Sequence, residues 1–165
     1  MAVAAGARHD DCVFCAIAAG SHPAAVVYED ASTIAFLDIT AVMPGHTLVI
    51  PKTHATDLWE ITPDDWASVT RTVHRVARRI GDVLRPDGMT LFQANRDAGW
   101  QDVFHLHVHV VPRAGSDHLR RPWIASPVPL AALEATRARL FIGRRTQGTE
   151  PAASNLAGGA PHDAV

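Results

Sequence analysis

The sequence predicts an α+β domain built on an antiparallel sheet. Short runs rich in branched and aromatic residues come first, one long amphipathic helix follows, and two more such runs come after it. No internal repeat is visible, and no strand–helix–strand alternation points to a parallel sheet.

Each element has a local reason. "CVFCAIAAG", residues 12–20, reads as a short helix closed by Gly20 as a left-handed cap, with Pro23 just beyond. "AVVYED" and "STIAFLDI" read as two strands around an Asp-Ala-Ser turn. "VMPGHTLVIPK" carries a Pro-Gly turn and then a third strand, His46 to Ile50. The long helix begins at "ITPDDW", with Thr62 as N-cap, Pro63 at the first helical position and Asp65 completing a capping box. Along it Trp66, Val69, Val73, Val76, Ile80 and Val83 recur at intervals of three and four, one apolar stripe. Arg71, Arg75, Arg78 and Arg79 fall mostly off that stripe and read as a solvated face. "MTLFQAN" is a fourth strand, "RDAGWQD" a polar loop and "VFHLHVHVVP" a fifth strand, while "PLAALEATRARLFI" reads as a final helix. The expected organisation is a flexible tail over 1–10, one domain with a C-terminal extension over 11–142, and a Gly, Ala, Pro and Ser-rich disordered tail over 143–165.

Composition narrows the function classes. The 165 residues are one domain's worth, with 47% hydrophobic and 19% charged residues. A net charge of -2 gives no basic excess for gripping a nucleic-acid backbone, although a nucleotide needs only a few placed groups. No apolar run approaches the ~18 residues of a bilayer span. The opening "MAVAAGARHDD" lacks the basic and apolar regions of a signal peptide, so a cytoplasmic protein with no membrane partner is expected. The two cysteines, Cys12 and Cys15, form a Cys-x-x-Cys pair that suits a metal or a redox couple in a reducing compartment.

The most informative stretch is "FHLHVHVVPR", residues 104–113. On a strand, His105, His107 and His109 share one face, while Leu106, Val108 and Val110 share the other and would pack under the long helix. Three readings of the imidazoles remain open: a wet strand face, a catalytic zinc site, and phosphoryl chemistry. In the last, one neutral imidazole attacks phosphorus while its neighbours stabilise developing charge.

"GHTLVIPKTH", then Asn95, then "GWQDVFHLHVHVVPR" resembles the histidine triad (HIT) family, whose pattern is His-x-His-x-His with apolar intervening residues. The resemblance runs from about Cys12 to Arg113, with several blocks in the family's order. It implies an α+β fold with a five-stranded antiparallel sheet, a long helix and a short N-terminal helix, usually in a homodimer. It also implies a nucleotide hydrolase or transferase working through a covalent nucleotidyl-histidine. His107 would be the nucleophile, and His109 and His46 would contact the phosphate and leaving-group side. Asp38 would accept hydrogen bonds from the ribose, with Ile39 against the base. Phe14, Ile17 and Phe36 would line the base pocket, and Asn95 would sit near the ribose and phosphate loop. Gln101 would contact the bridging oxygen, and the backbone N–H groups of Asp102 and Val103 would face the phosphate. Trp100 stands where the family often has a small residue, which bears on leaving-group preference.

The resemblance to the bacterial branch further implies a structural zinc held by Cys12, Cys15, His54 and His105. Two thiolates and two imidazoles close a tetrahedral shell with no open position for water. His105 thus counts both as a triad member and as the fourth ligand, and no metal is required at phosphorus. The expected reaction is release of a nucleoside monophosphate, AMP in the first instance, from a phosphoramidate or mixed anhydride of a purine nucleotide. A dinucleoside polyphosphate hydrolase is the alternative, and a nucleotide-binding protein with vestigial activity a second. "SDHLRRPW" offers Arg120, Arg121 or Trp123 to a longer polyphosphate or to a dimer contact.

Overall fold

The computed structural model describes residues 11–120 and 126–142. The two tails expected at 1–10 and 143–165 lie outside the described residues, as do Arg121 and Trp123. The chain divides into two compact units, residues 1–119 and 120–165. The first carries α1 (Val13–Ala18), β1 (Val26–Glu29), β2 (Thr33–Leu37), β3 (Thr47–Pro51), α2 (Pro63–Leu84), β4 (Gly88–Gln93), a 3-10 turn (Asp97–Gly99) and β5 (Val108–Arg113). The second contributes α3 (Leu130–Leu140), which buries none of its residues.

The five strands form one antiparallel sheet in the order β1-β2-β3-β5-β4, as expected for the fold class. Its central strands are covered on both faces, so their sequences run almost continuously apolar. In β2, Ile34 and Phe36 point to one side and Ala35 to the other. In β3, Leu48 and Ile50 oppose Val49 in the same way. On one face α2 lays Val69, Val73, Val76 and Ile80 against Ala35, Val49, Leu106, Val108 and Val110. On the other, Phe14 and Ile17 of α1 pack on Ile34, Phe36, Leu48 and Ile50. Full burial of each such side chain contributes roughly 1.5–3 kcal/mol. The apolar stripe of α2 thus meets the sheet over most of its length, but Val83 is 54% exposed and runs past the covered region.

Turn chemistry fixes the strands in register. Asp30 Oδ1 accepts the N–H groups of Ser32 and Thr33 at 2.9 and 2.8 Å, closing the β1–β2 turn. Before β3, the His46 N–H donates to the Met43 carbonyl at 3.0 Å, with Pro44 and Gly45 between them. Gly45 has φ 87°, the left-handed geometry that a type II turn needs at that position. A side chain there would also strike Leu84 of α2. The Thr62 hydroxyl accepts the Asp65 N–H at 3.1 Å and caps α2 as its sequence predicts.

One element is shorter than its sequence suggests. β5 begins at Val108, so of the three alternating histidines only His109 lies on a regular strand. Residues 103–107 are bent, because their backbone bonds elsewhere: the Leu106 N–H donates to the Ala55 carbonyl at 2.7 Å and the His105 N–H to the Val103 carbonyl at 2.8 Å. The facial alternation nevertheless survives, with Leu106, Val108 and Val110 in the core under α2.

Candidate active site and metal centre

The bend before β5 gives the three histidines different surroundings. His105 is fully buried and turns toward α1 and the loop after β3. Its Nε2 lies 2.9 Å from the Pro51 carbonyl, so Nε2–H is the donor and Nδ1 keeps its lone pair. That lone pair faces Cys12 Sγ and Cys15 Sγ, each at 3.5 Å, while Cys15 Sγ lies 3.3 Å from His54 Nδ1. All four donor atoms lie within 4.8 Å of one another. A tetrahedral zinc with ordinary Zn–S and Zn–N bonds requires sulfur-to-nitrogen edges of about 3.5 Å. The four residues named from the sequence therefore fit a closed Cys2His2 shell, with the Pro51 carbonyl as the outer partner that orients one imidazole. Burial, and the nearby His54 and His107 rings, push the His105 imidazole down to about 4, which keeps Nδ1 unprotonated at neutral pH.

His107 sits at the floor of a cleft of about 280 Å³. Its Nδ1 is 2.7 Å from the His105 carbonyl, so Nδ1–H donates there and Nε2 is left as an unprotonated nitrogen. Burial lowers its proton affinity, against a partial rise from the His105 carbonyl, Asp38 and Asp102. The ring thus favours its neutral form, with the Nε2 lone pair available. The edge of Phe14 meets it at 5.3 Å between centroids and restricts its rotation.

His109 belongs to a chain of polar groups along the same cleft. Its Nδ1 is 2.9 Å from His46 Nε2, and His46 Nδ1 is 3.5 Å from Asp38 Oδ2. These three residues also lie close enough to be considered a metal site. Two imidazole nitrogens sharing one metal would stand about 3.3 Å apart, whereas 2.9 Å is a hydrogen bond. Burial, then the adjacent His107 and His46 rings, push His109 down to about 3. His46 is lowered by burial, with Asp38 opposing. Burial works to raise the Asp38 carboxyl, but hydrogen bonds from Thr40 together with His46 and His109 outweigh it and hold Asp38 low.

Of the residues expected at a nucleotide site, Phe14, Ile17, Phe36, Asp38, Ile39, Asp102, Val103, His107 and His109 line this one cleft. Ile39 is 99% exposed at its rim, an apolar side chain with nothing beneath it. His46 stands behind His109. Asn95 and Gln101 are placed differently, because both amides are engaged in holding loops. Asn95 Oδ1 accepts the Leu58 N–H at 2.8 Å, and its amide group pairs with Gln93. The buried Gln101 donates to the Thr56 and Val103 carbonyls and accepts the Arg96 N–H. Trp100 is exposed, in left-handed geometry at φ 69°, and is not part of the cleft wall.

Three contributors were not evident in the sequence. His22 and Thr40 line the cleft, although His22 reads as an ordinary loop histidine. Phe92, on edge strand β4, lies directly opposite His109 in the sheet register. Its ring stacks on the His109 imidazole with centroids 4.0 Å apart and planes 9° from parallel. Strand-pairing register is the signal that finds Phe92, and register is a tertiary property.

Comparison with known proteins agrees with this geometry. The HIT domain model matches residues 19–116. The protein hit of Bacillus subtilis is 44% identical over 106 residues, covering 64% of this chain and 73% of that protein. The adenosine 5'-monophosphoramidase hnt1 of Schizosaccharomyces pombe is 33% identical over 125 residues, covering 75% of this chain and 91% of hnt1. The crystal structure of a zinc-bound histidine triad family protein from Mycobacterium smegmatis superimposes with a TM-score of 0.63 at 43% identity, covering 68% of this chain and 84% of the other. The chain belongs to the HIT family.

Proposed function

We propose that this protein is a nucleotide hydrolase that releases AMP from an adenylyl phosphoramidate or mixed anhydride through a nucleotidyl-His107 intermediate. The observation that carries the reading is the fixed tautomer of His107, whose Nδ1–H is held by the His105 carbonyl at 2.7 Å while Nε2 faces the cleft. The likeness to the S. pombe monophosphoramidase supports the substrate class.

The base enters the apolar part of the cleft, among Phe14, Ile17 and Phe36 with Ile39 at the rim, and Asp38 accepts from the ribose hydroxyls. Nε2 of His107 attacks the α-phosphorus in line, and the bond from phosphorus to the leaving nitrogen or oxygen breaks. The phosphoryl anion raises the proton affinity of His109, so His109 carries a proton to the departing atom. The same nitrogen then takes a proton from the water that displaces His107 and frees the monophosphate. His46 and Asp38 keep His109 aimed throughout. Neighbouring imidazoles and the N–H groups at Asp102 and Val103 stabilise the charge on phosphorus.

Cys12, Cys15, His54 and His105 would hold a structural zinc. When bound, zinc supplies a fixed cross-link between α1, the loop after β3 and the triad. His105, as one of those ligands, would keep its carbonyl placed to hold the Nδ1–H tautomer of His107.

Turnover of adenosine 5'-phosphoramidate and of a dinucleoside polyphosphate, measured in parallel, tests the reading. It expects AMP from the phosphoramidate, faster than from the polyphosphate, and loss of both activities in His107→Ala. Native rates in that variant would overturn it. A preference for the polyphosphate would move the substrate assignment to the alternative class.

A further inference from the structure

A cavity of about 640 Å³ lies away from the histidines, along the C-terminal half of α2 beside β1. It exists because α2 covers the middle of the sheet and leaves one side of β1 and the end of β2 bare, so Val27 and Leu37 remain exposed. The apolar stripe of α2 continues along it through Val76 and Ile80 to the exposed Val83 and Leu84. From Arg75 to Leu84 the helix advances about 13 Å.

The two ends of this slot differ in chemistry. At one end stand Arg75 and Arg79, one helical turn apart. Arg75 lies over the Tyr28 ring, 4.8 Å from its centroid, and donates to the Tyr28 hydroxyl, so its guanidinium is pre-positioned. Arg79 makes no ion pair among the described residues. The other end is walled by Val83, Leu84 and Pro44. Among the described residues no carboxylate lines the slot. A volume in the range of small-molecule sites, with guanidinium at one end and only hydrocarbon at the other, is complementary to an amphiphile with an anionic head.

We infer that the slot between α2 and β1 is a second ligand site, for a linear aliphatic carboxylate whose head meets Arg79 and Arg75 and whose tail runs toward Val83 and Leu84. The slot shares only Leu37 with the histidine cleft, and the inference does not depend on the reaction proposed there.

The test uses the full-length protein with methyl-labelled valine and leucine, titrated with decanoate below its micelle concentration. Decanol and decyltrimethylammonium serve as probes with the same tail and a neutral or cationic head. The expected result is saturable one-to-one binding, with the diagnostic shifts at Val27, Val76, Val83 and Leu84 and affinity on the order of tenfold weaker for decanol. Arg79→Glu should abolish decanoate binding, and Val83→Asp should weaken it at least tenfold. Arg71→Glu, on the same helix but outside the slot, should leave it unchanged. Both Arg79 and Val83 are exposed, so these variants are expected to fold, which their melting curves check. Equal affinity for decanol, shifts centred on Phe14 and Ile17, or no saturation would each overturn the inference. So would a ligand-free protein whose slot methyls are already protected in a self-associated form, because the slot would then be a surface between copies.

Discussion

Replacing Phe92 probes how His109 is held. The Phe92 ring is 46% exposed, so roughly half of an aromatic side chain's area, about 100 Å², is buried against the imidazole and its strand. At about 25 cal/mol per Å², Phe92→Ala should cost about 2.5 kcal/mol of stability, with a further ~1 kcal/mol for the lost stacking. The catalytic effect follows from orientation. With one face of its ring released, His109 keeps its Nδ1 contact to His46 but can rotate about it. If the ~1 kcal/mol of stacking serves to align Nε2, kcat should fall by about fivefold. KM should stay nearly constant, because Phe92 does not line the histidine cleft. Phe92→Leu separates the two effects: it restores most of the apolar area without a flat ring, so stability should return while kcat stays low. Denaturant melts and steady-state rates on the phosphoramidate measure both quantities. A Leu variant with full kcat, or an Ala variant with unchanged kcat, would refute the stacking argument.

Three further outcomes are expected. Elemental analysis of the purified protein should find about one zinc per chain, and Cys15→Ser should lose it and lower the melting temperature together with kcat; a metal-free native protein of full stability would contradict the closed shell. Stability should fall as pH drops from about 6.5 toward 3, because His109 stays neutral in the folded chain down to about 3 while the unfolded chain binds the proton near 6.5. Acid melts of His109→Gln should show a shallower fall over the same window, and an identical slope would mean that His109 is not held as described. Trp100→Gly should stabilise the fold by about 0.5–1 kcal/mol in denaturant melts, since a non-glycine residue in left-handed geometry is strained and the exposed indole contributes little burial. It should not change leaving-group preference, and a shifted preference would place the indole at the cleft after all.

Much of this fold was legible because local and tertiary preferences agree. Thr62, Pro63 and Asp65 announce α2, and the Pro44-Gly45 turn announces β3, from residues that satisfy their own backbone. The residues that line the cleft and the Cys12, Cys15, His54 and His105 cluster were named through the family pattern, and the fold brings each group together. What the pattern hid is the bend at 103–107. A period of two in the sequence describes alternation of faces, and it persists even where the backbone leaves the ladder for Ala55. Asn95 and Gln101 show the complementary limit. An amide at a site-like position can serve the ligand or the loop, and only the partners around it decide: here Leu58 and Gln93 for one, Thr56, Val103 and Arg96 for the other. Phe92 and His22 were invisible for a simpler reason. Phe92 meets His109 only through strand pairing, His22 lines the cleft from a loop, and neither has a distinctive local signal.

Rapid quenching of the reaction, followed by mass spectrometry of the peptide that contains residues 104–113, examines the covalent step itself. We predict one nucleotidyl group on His107, formed and discharged at rates that match turnover, and absent from His107→Ala. Products that accumulate while that peptide never carries a nucleotide would contradict the mechanism.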